Sequence, residues 1–345
     1  EITDEHETAQ VLLNDGLATL KPDDVRRVQV QILLGTSHER MGNLLEAEQA
    51  FLEAFNMAQK AGETPLQLLA LAQLSLIEIR LGKFGNAEQF MQKSTHLIGQ
   101  VQSSSETARA HNHLGLIYMY RGESFMAIEH YQHSISLYQE IGEEWATAMT
   151  LNNLGMEYAR LHDYERSLSV LQDGFLIRER AGDKWGMASS LNNTGLVATW
   201  KRDYERAHEY LSRSLDLYRD IGAKRDIANA IANLSVVELH RGTSEVSNLL
   251  DEGVRLADEA GATPIVLELL ASYAWYYYQQ GQKIMAGRMV QTLKEHPVFN
   301  IEVQEKLDEW LPLLERDLTD VEITEIQRQS ISLDALLQPL LQNRQ

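Results

Sequence analysis

The sequence predicts an all-α protein built as a solenoid of about seven antiparallel helix pairs, with a capping helix towards its C-terminal end. Residues 151–155 read LNNLG, and residues 191–195 repeat them as LNNTG at a distance of 40 residues. Apolar residues recur every three or four positions, which indicates amphipathic helices and not strands. An internal repeat of this length is the signature of a stacked array of helix pairs.

The pattern extends to seven copies between residues 27 and 295. Each copy contains an apolar anchor followed directly by a small residue, and the anchors are spaced by 40 residues five times and by 39 once. A small, a bulky and usually another small residue follow in the second half of each copy. The small residues let two antiparallel helices approach closely, while the bulky one fills the space between neighbouring pairs. The anchors are Leu34, Leu74, Leu114, Leu154, Thr194, Leu234 and Tyr273.

Glycine marks the turn between the two helices in four copies, at Gly42, Gly82, Gly122 and Gly242. Glycine readily adopts the left-handed conformation that ends a helix. His162 and Arg202 stand at this position in the two central copies. We therefore expect those two turns to close differently from the others.

The segments outside the array define the remaining organisation. Residues 1–26 are predicted to contain a lone helix, interpreted as the remnant of an upstream repeat, and residues 27–295 contain the seven repeats. Residues 296–318 are predicted to form a capping helix, and residues 319–345 form a tail or lead into a missing domain. Because the chain begins at Glu1 and not at Met, we expect it to be part of a longer protein.

The capping segment is predicted to be one amphipathic helix over residues 301–317, after Pro297 ends the seventh repeat. Its apolar side is predicted to comprise Leu307, Trp310, Leu311 and Leu314. The leucines of 333–341 indicate a further short helix. One hypothesis is that residues 333–342 occupy the groove of the chain's own array.

Composition narrows the classes of function. Fifty acidic residues against 31 basic ones give a net charge of −19, which argues against direct nucleic-acid binding because a phosphate backbone would be repelled. The absence of cysteine excludes disulfides and thiolate metal sites, and we expect a cytoplasmic protein. No apolar run is long enough to span a membrane, and no signal peptide precedes residue 20.

No catalytic motif is recognisable, so we expect no enzyme activity and no cofactor. His130 and His133 are three residues apart and could share a metal ion on one helix face. A surface pair of histidines is the more common explanation of this spacing. His111 and His113 are two residues apart on a helix and point to different sides.

These repeats resemble the tetratricopeptide repeat, which places a large residue and then Gly or Ala in its first helix, and Ala, an aromatic and Ala in its second. The period exceeds the usual 34 residues. It is similar to the long-repeat subset found in spindle-orientation adaptors, kinesin light chains and the sensor arrays of bacterial signal-transducing ATPase regulators. HEAT-like arrays have similar periods but lack this scheme of small residues. The resemblance implies a right-handed superhelix whose first helices line a concave groove.

An amide-rich row is the first candidate binding site in that groove. An asparagine offers both a donor and an acceptor, so a ladder of amides could hold the backbone of an extended peptide. The alternative is that the amides bond to neighbouring repeats and set the superhelical twist. We expect Asn112, Asn152 and Asn192 to face the ligand more than their neighbours Asn153, Asn193 and Asn233.

A cationic and aromatic row at the ends of the first helices is the second candidate. Such a row could bind an anionic segment. The alternative is that cations at helix C-termini simply offset the helix dipole. The row comprises Arg40, Arg80, Tyr120, Arg160, Trp200 and His240.

Two further pairs of aromatic residues could bind a ligand or pack between repeats. Trp275 and Tyr278 belong to a dense aromatic cluster and are the two members that could face the groove. Trp145 and Trp185 recur at one repeat position, which suggests packing between repeats.

The sequence thus predicts a non-catalytic module that binds a protein or peptide segment in a concave groove. The resemblance implies a setting within a larger bacterial signalling or transcription regulator. Two alternatives stay open: a sensor of a small-molecule inducer, similar to the maltotriose-responsive activator, and a static adaptor scaffold. We expect neither a nucleic-acid nor a membrane partner for this segment.

Overall fold

The computed structural model describes residues 2–22, 24–99, 101, 104–243, 246–328 and 331–342, without the side chains of residues 2–7, 9, 40, 301, 302 and 342. The described residues form nineteen α-helices and no β-strand. They fall into two compact units, an N-terminal unit of Glu1–Ile177 and a C-terminal unit of Arg178–Gln345. The predicted all-α class and the solenoid of antiparallel helix pairs are confirmed.

The N-terminal unit contains one leading helix and four helix pairs, the last of which ends beyond its boundary. The helices are α1 (Ile2–Thr19), α2 (Arg26–Arg40), α3 (Leu44–Ala61), α4 (Thr64–Arg80), α5 (Phe84–Ile98), α6 (Ser105–Tyr120), α7 (Ser124–Glu140), α8 (Glu144–Arg160) and α9 (Tyr164–Ala181).

The C-terminal unit contains three helix pairs followed by four shorter helices. The pairs are α10 (Lys184–Trp200) with α11 (Tyr204–Ile221), α12 (Lys224–Arg241) with α13 (Val246–Glu259), and α14 (Thr263–Gln279) with α15 (Lys283–Glu295). The shorter helices are α16 (Ile301–Asp308), α17 (Leu311–Asp317), α18 (Asp320–Arg328) and α19 (Leu333–Gln342).

The packing within a pair follows the predicted alternation of small and bulky residues. The anchor Leu114 is fully buried, and the bulky Tyr131 of α7 is buried against the small residue beside that anchor. A Cβ atom on Gly115 would lie 2.5 Å from the ring of Tyr131, so no larger residue fits without displacing that ring. Leu211 packs in the same way, 2.5 Å from a Cβ placed on Gly195.

The prediction about the two central turns is wrong. His162 has φ 58° and Arg202 has φ 61°, close to the 73° of Gly122. The backbone hydrogen bonds also correspond, since the amide of Asp163 donates to the carbonyl of Tyr158 at 2.9 Å as its counterpart does after Gly122. These turns close in the same left-handed conformation because the geometry of the pair demands it, at a steric cost of about 1 kcal/mol for a side chain.

The capping segment differs from the single predicted helix. α16 and α17 are separate, because Pro312 lies at the start of α17 and cannot donate a backbone hydrogen bond to a continuing helix. The predicted apolar side is nevertheless buried, with Leu307 at 0% exposure and Trp310 at 1%. α19 packs against the second helices α13 and α15, so the hypothesis that residues 333–342 occupy the first-helix groove is not supported.

Within the described residues, no helix combines the length and the apolar character that crossing a membrane requires.

Candidate functional site

The asparagine rows lie on the first helices, but their orientation differs from the prediction. Asn112, Asn152 and Asn192 are buried, with exposures of 3%, 6% and 5%. Asn153 and Asn193 are half-buried. The expectation that the first row faces a ligand more than its neighbours is therefore wrong, because this row lies where neighbouring first helices pack together.

Amide hydrogen bonds connect consecutive first helices in both units. In the N-terminal unit Asn153 Nδ2 donates to Asn112 Oδ1 at 3.1 Å, which joins α8 to α6. In the C-terminal unit Asn233 Nδ2 donates to Asn192 Oδ1 at the same distance, which joins α12 to α10. These asparagines thus set the contact between repeats, as the structural alternative proposed; a binding role for any of them stays a prediction.

An open stripe of eight residues runs along α6 and α8 in the N-terminal unit. Each helix contributes residues at spacings of four, three and four, which lie on one helix face. All eight are half-buried or exposed because no other helix of this unit covers them fully, although the Nδ1 atom of His113 is itself buried. The open stripe consists of Arg109, His113, Leu116 and Tyr120 from α6, and Met149, Asn153, Met156 and Arg160 from α8.

The cationic and aromatic row is exposed but partly engaged within the chain. Tyr120 is 57% exposed and Trp200 is 41% exposed. Arg80 forms an ion pair of 2.9 Å with Glu39 of the preceding first helix. The side chain of Arg40 lies outside the described residues.

Arg160 contacts a buried carboxylate. Its Nε lies 3.3 Å from Oε1 of Glu157, which is fully buried. Burial raises the pKa of the Glu157 carboxyl above its ordinary value, and the nearby Arg160 opposes that rise. Four other repeats have an apolar residue at the equivalent position, namely Ile77, Ile117, Val197 and Val237, and the first repeat has Ser37.

A histidine cluster joins α6 to α7 beside the open stripe. The Nδ1 atoms of His111 and His130 lie 3.0 Å apart, and the ring of His133 lies 5.2 Å from that of His111. Burial and the neighbouring imidazoles lower the pKa of His111 to about 3, and burial lowers those of His113 and His130 to about 4. No group of three or more metal-ligating side chains in the described part of the chain has a geometry that could hold a metal ion.

On α12 and α14 of the C-terminal unit, the equivalent face is covered by the chain itself, whereas on α10 Trp200 stays 41% exposed. His240 Nε2 lies 2.7 Å from Glu309 Oε1, and its ring stacks on Tyr204 at 4.2 Å. Trp275 is only 7% exposed and packs edge-on against His240 at 4.7 Å. Four residues predicted to bind a partner here, Asn233, His240, Trp275 and Tyr278, are therefore engaged by other parts of the unit.

Four further contacts, made by Tyr278 and Lys306, hold the covering segment in place. The ring of Tyr278 stacks on Trp310 at 5.9 Å, and its hydroxyl donates to Asp317 at 2.8 Å. Lys306 Nζ of α16 donates to the carbonyl of Ala232 at 3.2 Å and pairs with Glu268 at 2.9 Å. Residues 306–317 thus cover this face of α12 and α14.

Sequence reasoning identified only part of the open stripe. It named Tyr120, Asn153 and Arg160 as site residues but not the apolar Leu116, Met149 and Met156. A signal was present, because the residues four, seven and eleven positions before Tyr120 and Arg160 occupy the same helix face. The tryptophans Trp145 and Trp185 are 60% and 49% exposed, so neither ring is buried between repeats, although Trp185 Nε1 donates to Asp226 of the next first helix at 3.0 Å.

A model of the family described as "Tetratricopeptide repeat" matches residues 26–97 and 106–180. No curated protein compared with the chain matches it. Many solved structures do match, which agrees with the helix-pair fold described above.

Three solved structures illustrate the similarity. A signal transduction ATPase with numerous domains and a tetratricopeptide repeat sensor, from Pyrococcus horikoshii, has a TM-score of 0.63 and 15% identity, covering 93% of this chain and 47% of that chain. Aspartyl phosphate phosphatase F from Bacillus subtilis has a TM-score of 0.61 and 13% identity, covering 94% and 89%. A Rap protein complexed with Competence and Sporulation Factor has a TM-score of 0.57 and 11% identity, covering 94% of each chain.

At these identities the similarity shows the fold alone. The chain spans about half the length of the Pyrococcus horikoshii protein.

Proposed function

We propose that the chain, which matches the tetratricopeptide-repeat family model over residues 26–97 and 106–180, is a non-catalytic module that recognises a segment of another protein. One observation carries this proposal: the open stripe on α6 and α8 combines apolar and cationic side chains and contains no acidic residue. Such a surface is unusual in a chain with a net charge of −19, and it offers burial together with charge complementarity.

The setting that we propose is a larger bacterial signalling or transcription regulator acting in the cytoplasm. Its support is the fold shared with a tetratricopeptide repeat sensor of a signal transduction ATPase and with a Rap protein complexed with Competence and Sporulation Factor. In this setting the module acts as the sensor or partner-binding part, and a static adaptor scaffold is the alternative within the same class.

Selection of peptides from a random library on the immobilised chain tests the proposal. We expect selected peptides to lose binding when Leu116 and Met156 are both changed to Asp, because these side chains form the apolar part of the open stripe. The matched control is Phe125→Asp, which adds charge at a side chain that is 80% exposed on α7. Peptides that bind the stripe variant as well as the unchanged chain would contradict the proposal, provided that its melting curve is unaltered.

A small-molecule sensor is the second candidate, because the C-terminal unit contains a suitable cleft. This cleft of about 490 Å³ lies between α15, α17 and α18, within the size range typical of ligand pockets. Its apolar lining is formed by Val290, Leu311, Leu314, Leu318, Ile323 and Ile326. Gln291 Oε1 beside them is buried and accepts no hydrogen bond from the described residues.

Calorimetry against a metabolite library separates the two candidates. A sensor should bind a mostly apolar compound that carries a hydrogen-bond donor, and Val290→Trp should abolish that binding by filling the cleft. Peptide binding without any metabolite binding would favour the first candidate.

A further inference from the structure

We propose that the N-terminal unit binds an amphipathic helix of a partner protein, with its apolar side on the open stripe of α6 and α8 and acidic residues on its flanks. This inference rests on the proposed function and specifies the conformation and the charge of the segment that is recognised. It follows from four observations, which concern the apolar residues, the charges, the asparagines and the covered face of the C-terminal unit.

The apolar part of the open stripe suits a helical ligand. Leu116, Met149 and Met156 are half-buried, and Met119 lies beside them with similar exposure. Three of these four side chains are methionines, which are flexible and polarizable and adapt to the surface of a bound helix. A helix places apolar residues in a continuous row and fits a groove between two parallel first helices.

The charges of the open stripe select an acidic flank. Arg109 lies at one end of the stripe and Arg160 at the other, and none of its eight residues is acidic. The side chain of Arg160 is 57% exposed although its Nε lies 3.3 Å from the buried carboxylate of Glu157, so its guanidinium group stays accessible to a ligand. A basic helix would gain nothing from this face, whereas carboxylates on a bound helix would pair with the two guanidinium groups.

The asparagines argue against an extended peptide held along its backbone. Asn112 and Asn152 are buried, and Asn112 Oδ1 already accepts a hydrogen bond from Asn153. An extended ligand needs a row of accessible donors and acceptors to satisfy its backbone, which a helix satisfies internally. The open stripe offers side-chain contacts in place of such a row.

The C-terminal unit shows how a helix occupies the same kind of face. α16 and Trp310 lie against α12 and α14, with Leu307 and Trp310 buried and Glu305 and Asp308 exposed. Lys306 pairs there with Glu268, and Glu309 pairs with His240.

One repeat position is acidic in the C-terminal unit and basic in the N-terminal unit. A ligand of the N-terminal unit therefore needs the opposite charge at that end of the open stripe. Glu268 lies five residues before its anchor, as Arg109 does in the third repeat. Glu268 pairs with Lys306. Because Arg109 has the opposite charge, we expect it to pair with a carboxylate at the corresponding position of its ligand. His240 corresponds to Tyr120 and Arg160, and Glu309 shows that this second position accepts a carboxylate.

Binding of three synthetic peptides to the full chain tests the inference. The first is an amphipathic helix with leucines every three or four residues and glutamates on its flanks. The second has lysines in place of the glutamates, and the third has the composition of the first with its leucines scattered around the helix. We expect the acidic helix to bind at least about tenfold more tightly than the other two, to gain helical circular dichroism on binding, and to weaken as salt is added.

Variants locate the binding site. Tyr120→Glu together with Met149→Glu should weaken the acidic peptide about tenfold or more and strengthen the basic one, because like charges repel across the interface. Lys60→Glu is the matched control, since it alters the charge at an exposed position on α3 in the same unit, and it should leave the preference for the acidic peptide unchanged.

The outcomes distinguish this inference from the proposed function. Selected library peptides that bind the stripe in an extended form, or that are basic, would overturn the inference and leave the proposed function standing. If no peptide of any kind binds at the stripe, both fail. Self-association of the chain that the acidic peptide does not compete with, but that Tyr120→Glu and Met149→Glu abolish, would identify a second copy as the occupant and also overturn the inference.

Discussion

In the N-terminal unit the open stripe of α6 and α8 is accessible, whereas in the C-terminal unit residues 306–317 cover the equivalent positions of α12 and α14. The same repeat positions therefore serve as accessible surface in one unit and as an internal contact in the other. His240 and Arg160 illustrate this, because they occupy equivalent positions, yet His240 pairs with Glu309 and the side chain of Arg160 is 57% exposed. The position of a residue in its repeat predicts the helix face on which it lies. Whether that face is exposed depends on the residues that follow the last repeat.

The two units also differ in their buried ionisable groups. The N-terminal unit contains His111, His113 and His130, whose pKa values are lowered to between about 3 and 4, and the buried Glu157, whose pKa is raised. In the described C-terminal unit, Glu238 is engaged by Arg241, Thr243 and His208, and these contacts lower its pKa despite the opposing effect of burial. The N-terminal unit should therefore respond more strongly to pH.

The largest expected effect is loss of stability of the N-terminal unit on acidification. The three histidines have folded pKa values below their ordinary 6.5, so the unfolded state binds protons more readily. Stability is complete above pH 6.5 and falls as the pH is lowered towards 4. At pH 5 the protonation of each histidine in the unfolded state lowers the free energy of unfolding by about 2 kcal/mol, or by about 6 kcal/mol for all three.

Urea denaturation followed by hydrogen exchange of peptides from each unit measures this loss. His111→Gln with His130→Gln should flatten the pH dependence of the N-terminal unit. Equal acid sensitivity of the two units in the unchanged chain would contradict the assignment.

Trp310→Ala should destabilise the C-terminal unit by about 3–5 kcal/mol, since a large buried side chain is lost together with its stacking on Tyr278. The opened face should also expose Trp275, which a red shift of tryptophan fluorescence would report. Trp145→Ala removes a tryptophan that is 60% exposed in the N-terminal unit and should have little effect. Equal destabilisation by the two substitutions would show that the covering segment contributes little.

Glu157→Ile should stabilise the N-terminal unit by about 1–3 kcal/mol, because it replaces a buried carboxylate with the residue found at the same position in other repeats. The folded pKa of Glu157 is raised, so its charged form is disfavoured above its unfolded pKa. The gain in melting temperature should therefore be larger at pH 7 than at pH 4. A loss of stability at pH 7 would show that the contact with Arg160 outweighs the cost of burial.

The smallest expected effects on stability concern the two hydrogen bonds between asparagine side chains. Asn233→Ala should cost about 1–3 kcal/mol, because it leaves the buried Oδ1 of Asn192 without its donor. Asn153→Ala should cost only about 0.5–1 kcal/mol, since water can reach this half-buried position and replace the amide. Chemical denaturation measures both, and a larger loss for Asn153 would argue against an open stripe in the N-terminal unit.

Much of the fold could be predicted from the sequence because the residues that pack together within a helix pair are close to one another along the chain. Leu114, Gly115 and Tyr131 lie within eighteen residues of one another, and their sizes alone require two closely packed helices. The backbone conformation of the turns at His162 and Arg202 could not be predicted from neighbouring residues. Their side chains suggest a different turn, but the packed helix pair imposes the left-handed conformation on both.

The candidate site was predictable as a face of the first helices but not in its details. Asn152 and Asn153 are adjacent in sequence, so a rotation of one residue about the helix axis decides which of them is buried between helices. That rotation depends on how neighbouring first helices cross, and no single repeat encodes it.

The sequence by itself determined the helix pairs, their number and period, and the class of surface that they present, because these depend on residues close together along the chain. Only the tertiary structure decided which stripe is open. Lys306 contacts a carbonyl 74 residues away, and Glu309 contacts His240 across 69 residues. Such contacts depend on the path of the chain after the last repeat, which the repeat pattern does not specify.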